Sequence, residues 1–207
     1  MKRLIISALV LCGLCIVAAA QGTSTLEQLC AKMSDRASVL NYSYTLSVSG
    51  VKTVGDGTVT TQDYAYILNG NGMNIYCNGT TLWVVDEAGK EIMIDSVAQG
   101  ADAYLSNPVL LLANLNKIFS VSTPISSGGN QVYKLTPKQD CGIASGTVIV
   151  STVNSTPVFA SGSFKTTDGG QLDVKIKSMT FSDKKPLTFY ILDLSRFDSS
   201  WMITDLR

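Results

Sequence analysis

The sequence predicts a mainly β domain with a few helices, in a sandwich or a barrel. Three observations carry this. Short alternating segments recur every ten or so residues, turn signals of Gly, Asn, Asp and Pro fall between them, and only two stretches show helical spacing. No βαβ alternation, internal repeat or linker interrupts the pattern.

The first twenty residues are expected to be removed. Lys2 and Arg3 precede an apolar run over Leu4–Val17, and Ala18–Ala20 supply small residues for cleavage, which is the layout of a secretory signal peptide. That run is too short for a membrane span. Residues 21–207 are then read as a single domain of about 185 residues, enough for a substantial core. The signal favours a soluble exported protein over a membrane-tethered one.

The domain opens on a helix. Leu26, Leu29, Cys30 and Met33 recur at helical spacing, with Thr25 as the expected cap. The period then changes: in Tyr42–Ser49 the even positions are apolar and the odd ones hydroxylated, the signature of a half-buried strand. Gly55-Asp56-Gly57 reads as a turn into a second strand ending on Tyr64, Tyr66 and Leu68. Asn69–Gly72 reads as another turn. Met73–Cys77 and Thr81–Val85 flank Asn78-Gly79, read as a type I′ hairpin, and Glu87–Gly89 leads into Ile92–Ile94. Asn107-Pro108 has the form of a helix start, followed by a stripe of Leu111, Leu112, Leu115 and Phe119. Strands are predicted to resume at 131–136, 146–153, 158–166, 172–181, 187–192 and 201–206.

Composition excludes several chemistries. The chain has no histidine, so serine–histidine and cysteine–histidine nucleophiles are ruled out. Asp86 and Glu87 fall in a turn, where solvated acids are common. Charge is sparse and mixed, with no basic stripe for nucleic acid. Once Cys12 and Cys15 leave with the signal, Cys30, Cys77 and Cys141 remain; one pair can form, by any of three pairings. Three scattered cysteines do not make a zinc site. No cofactor, metal or catalytic residue is expected. The apolar residues Tyr44, Leu46, Tyr64, Tyr66, Met73, Ile75 and the Leu111–Phe119 stripe fit either a filled core or the wall of a cavity.

Three motifs bear on that choice. "NGTTLWVVDEAGKEIMI" over Asn78–Ile94 resembles the hairpin of the outer-membrane lipoprotein carrier family, the LolA-type periplasmic chaperones. "NPVLLLANL" is similar to that family's proline-initiated helix, and "WMITDLR" to its terminal strand. Their order spans nearly the whole chain. The stretch "YILNGNGMNIYCNG" lacks the Pro and Arg usual before the hairpin, which marks a divergent member.

The resemblance implies an incomplete, half-open antiparallel β-barrel covered by helices, with an apolar face that takes up acyl chains. It implies a non-enzymatic, monomeric chaperone that ferries lipoproteins from the inner to the outer membrane. An inner-membrane lipoprotein-releasing transporter and an outer-membrane acceptor would be its partners. The lipid-binding set it suggests is Tyr44, Leu46, Tyr64, Tyr66, Met73, Ile75, Leu82, Trp83, Leu111, Leu112, Leu115 and Phe119, with the 107–119 helix as lid. Trp83 is read into the cavity wall, the alternative being a place beneath a helix on the outer surface. The alternative function is a lipid- or lipoprotein-sensing module acting through a protein partner.

Overall fold

The computed structural model describes residues 24–97 and 115–207. Helix α1 (Thr25–Asp35) leads into strands β1 (Ala37–Val48), β2 (Val51–Gln62), β3 (Ala65–Gly70), β4 (Met73–Cys77), β5 (Thr81–Asp86) and β6 (Glu91–Ser96). A short helix α2 (Leu115–Ile118) precedes β7 (Phe119–Val121), β8 (Ile125–Ser127), β9 (Asn130–Pro137), β10 (Ile143–Val153), β11 (Thr156–Thr166) and β12 (Gln171–Ser182). The chain ends in two 3-10 turns, Leu187–Tyr190 and Leu194–Arg196, and β13 (Met202–Asp205).

Ser24, rather than Thr25, caps α1. Its hydroxyl accepts from the Glu27 amide at 3.2 Å, and its own amide donates to the Glu27 carboxylate at 2.8 Å, a reciprocal capping box.

All thirteen strands form one sheet, in the order β13-β6-β5-β4-β3-β2-β1-β12-β11-β10-β9-β7, with β8 also on β9. Neighbouring hairpins build most of it, but the β1–β12 pair joins Ala37 to Ser182 across nearly the whole chain. Among the described residues the two ends of the sheet do not meet, so the sheet is open. Every pair is antiparallel except β13–β6, where Ile203 lies beside Ile92 in parallel. The last strand runs that way because an arm over residues 183–201 first crosses one face of the sheet.

Several turns differ from expectation. Gly55-Asp56-Gly57 is not a turn: β2 runs straight through it, and the reversal comes at Ser49-Gly50, both at positive φ. The glycines serve a close approach instead. A Cβ on Gly57 would lie 2.4 Å from the Asn69 carbonyl oxygen, and one on Gly70 2.5 Å from that of Asp56. Tyr42 and Tyr44 cover this side-chain-free strip from β1, and the Asn71 amide donates to the Tyr44 hydroxyl at 2.5 Å. Asn78-Gly79 belongs to a three-residue loop, not a two-residue one; the Asn78 side-chain oxygen accepts from the Thr80 and Thr81 amides. Residues 187–192 are a 3-10 turn and coil, not a strand. Of the predicted 107–119 helix, Leu115–Ile118 is helical, Phe119 opens β7, and Leu111 and Leu112 lie outside the described residues.

Candidate functional site: a partly covered apolar sheet face

Cross-strand partners point to the same side of a sheet, so the register sorts every strand residue onto one of two faces. The inner face is the one that α1 and α2 cover. One row across it reads Leu40, Val59, Leu68, Ile75 and Val84; the next reads Ser38, Thr61, Tyr66, Cys77 and Leu82.

The inner face carries two cores of different completeness. Toward β9–β11 the first is filled: Leu26, Leu29 and Met33 of α1, with Leu115 and Ile118 of α2, pack on Tyr133, Leu135, Val148, Phe159 and Phe164. The Tyr133 hydroxyl also accepts from the Leu26 amide at 3.3 Å, pinning the helix start. Toward β1–β5 the second is only partly covered. Leu40, Val59, Tyr66 and Cys77 are buried there, whereas Tyr42, Leu68, Ile75, Leu82, Val97, Ile176 and Met179 are half-buried. Ile176 and Met179 touch both cores and join them.

A third core lies on the outer face. Trp83, Val85, Ile92 and Ile94 pack under Leu192, Phe197 and Trp201 of the C-terminal arm. The arm is held by Gln62, whose side chain donates to the Lys185 carbonyl at 2.7 Å and accepts from the Lys185 amide at 2.6 Å.

These placements divide the expected lipid-binding set. Tyr66, Ile75 and Leu82 come together in the second core, and Tyr44, Leu46 and Met73 extend its face by register. Leu115 and Phe119 are fully buried in the filled first core, which gives them a packing role. Tyr64 stands in the β2–β3 turn, 60% exposed and away from both. Trp83 faces outward, not into the inner face: Cys77 pairs with Leu82 and turns Leu82 inward, so its neighbour must point the other way. Leu40, Ile176 and Met179 were missed, although Leu40 continues the Tyr42–Tyr44–Leu46 alternation by one step.

The polar atoms of the second core are almost all engaged. The Thr61 hydroxyl donates to the Ala65 carbonyl at 3.2 Å, and the Cys77 thiol donates to the Tyr64 carbonyl at 3.7 Å, while burial, then Cys77, pushes the Tyr66 phenol up. Ser38 is the exception: 1% exposed, its hydroxyl is the one buried side-chain oxygen or nitrogen among the described residues without a partner. Such a group costs about 1–3 kcal/mol of stability. No cluster of metal-ligating side chains occurs among the described residues. The outer face holds a trough of about 730 Å³, lined by Ser43, Ser161, Asp173 and Lys175 together with Val54, Ile149, Ala160 and Val174. Among the described residues, the second core is the inner-face region where apolar side chains stay half-exposed beside buried ones.

No family model matches the chain, and no curated protein matches it. Several solved structures are similar over most of the chain. The chain is similar to LolA-superfamily domains. One, from Nitrosomonas europaea, is 13% identical with a TM-score of 0.44, the match covering 81% of this chain and 96% of that one. A domain described as an outer-membrane lipoprotein-sorting protein, from Vibrio parahaemolyticus, is 8% identical at TM-score 0.45, with coverages of 80% and 94%. A DUF1329 family protein from Desulfovibrio piger is 6% identical at TM-score 0.49, with coverages of 84% and 98%. No helix among the described residues is long and apolar enough to cross a membrane.

Proposed function

We propose that the chain is an exported, monomeric carrier that shelters lipoprotein acyl chains on the inner face of its sheet and moves them from the inner to the outer membrane. An inner-membrane lipoprotein-releasing transporter would load it and an outer-membrane acceptor unload it. The observation that carries this reading is the partly covered second core: seven half-buried apolar side chains surround four buried ones on an open sheet. Half-buried apolar side chains on an open sheet face suit a surface that shelters hydrocarbon. The three sequence motifs of the lipoprotein carrier family support the cargo, and the absence of histidine excludes serine–histidine and cysteine–histidine nucleophiles.

The energetics suit a carrier. Each sheltered methylene is worth about 0.8 kcal/mol, so half-covering a sixteen-carbon chain yields roughly 6 kcal/mol. That magnitude corresponds to a dissociation constant between about 1 mM and 1 μM. Capture is therefore effective while release stays possible. Met179, which joins the two cores, is the flexible filler that lets such a face close when empty and yield when occupied.

The test is a titration of the purified mature protein with a fluorescent fatty acid. Saturable binding is expected, weakened at least tenfold by Leu68→Glu or Ile75→Glu on the inner face and unchanged by Thr147→Glu on the outer. Absence of saturable binding, or equal losses from both faces, would sink the carrier reading.

A further inference from the structure

We infer that Ser38 is the polar contact of the acyl site, donating its hydroxyl hydrogen to the carbonyl oxygen of an acyl ester or amide. The inference rests on the carrier reading and deepens it.

Register places Ser38 on the inner face, where it pairs with Thr61 on one side and with Phe181 on the other. Thr61 stands in the row of the second core, and Phe181 packs against the first. Ser38 thus sits where the two apolar cores meet. Around it the polar groups are committed: the Thr61 hydroxyl to the Ala65 carbonyl, the Cys77 thiol to the Tyr64 carbonyl. The Ser38 hydroxyl alone has no partner. A buried hydroxyl without a partner is rare in a native fold because it forfeits its hydrogen bonds to water and gains nothing back. An alanine would fit a strand among apolar neighbours without that loss. The chain instead keeps a donor at the back of a face built for hydrocarbon.

The chemistry of the occupant supplies what is missing. An acyl chain is apolar throughout except at its linkage, where a neutral carbonyl accepts hydrogen bonds but offers none. A single neutral donor complements it, and a charged side chain in this setting would carry a far larger desolvation cost. Ser38 would hold the linkage at one depth, leaving the hydrocarbon along the Leu40–Val59–Leu68–Ile75 row, which lies one register step away.

The experiment compares wild type and Ser38→Ala with two probes that differ only in the linkage, a monopalmitoylglycerol ester and the matching hexadecylglycerol ether. Affinities are read by displacement of the fluorescent fatty acid, and thermal unfolding is followed without ligand. Ser38→Ala is expected to weaken the ester about tenfold, one buried hydrogen bond's worth, and to leave the ether unchanged. Its Tm without ligand should hold or rise by a few degrees, since an unsatisfied hydroxyl is removed. Equal effects on both probes, or no effect on either, overturn the role of Ser38 while leaving the carrier standing. A lowered Tm overturns it too, by showing the hydroxyl already satisfied in the empty protein. If neither probe binds wild type, both the carrier and this contact fall.

Discussion

Replacing Trp83 by alanine separates the two faces of the sheet more cleanly than any other single change. Trp83 is 7% exposed, so nearly all of its side chain is withdrawn from water beneath Leu192, Phe197 and Trp201. A tryptophan of about 200 Å² at about 25 cal/mol per Å² gives roughly 5 kcal/mol, within the range of about 3–5 kcal/mol for large-to-alanine changes in cores. For a domain of this size each kcal/mol moves the melting temperature by about 2–4 °C, so a fall of about 6–20 °C is expected. Trp201, which meets Phe197 edge-to-face at 4.7 Å, should become more exposed as the arm loosens, shifting its emission to the red. Because both tryptophans belong to this core, intrinsic fluorescence reports on the arm alone. At temperatures where the variant remains folded, fatty-acid affinity should match wild type. A variant with an unchanged melting temperature but lost binding would refute the outward placement and put Trp83 back in the cavity wall.

Two further predictions concern the inner face and the helix. Gly57→Ala should destabilise by about 1–3 kcal/mol, since its Cβ would meet backbone rather than a movable side chain; melting at or above the wild-type temperature would contradict the close β2–β3 approach. The Cys30 thiol is pushed up to about 11 by burial and secondarily by Glu27. The fold favours its protonated form, so this contribution is whole below the ordinary value of 9.0 and fades as pH rises toward about 11. Stability measured by denaturant titration should therefore fall more steeply over that interval in wild type than in Cys30→Ala, and identical slopes would refute the burial of this thiol.

Much of this architecture is local and was readable. Strand positions follow from alternation, and the opening helix from Leu26, Leu29 and Met33. The misreadings have identifiable causes. Gly55-Asp56-Gly57 has turn composition, but its glycines answer to Asn69 and Tyr42, which arrive from other strands. Residues 187–192 are as apolar as a strand and bury Tyr190 and Leu192 between exposed Phe189 and Ile191, but they begin as a 3-10 turn and no strand of the sheet pairs with them. Ser38 carried no signal at all, since only its surroundings reveal that nothing meets its hydroxyl.

By itself the sequence determined that Leu82 and Trp83 must lie on opposite faces, because successive side chains of a strand point in opposite directions whatever surrounds them. It also determined which segments alternate and which chemistry is missing. Only the tertiary structure decided which face is inner. That depends on where α1, α2 and the C-terminal arm come to rest, and on the β1–β12 pairing that joins the first strand to one more than 120 residues later. Coverage of a face is a long-range property, and a two-residue period carries no record of it.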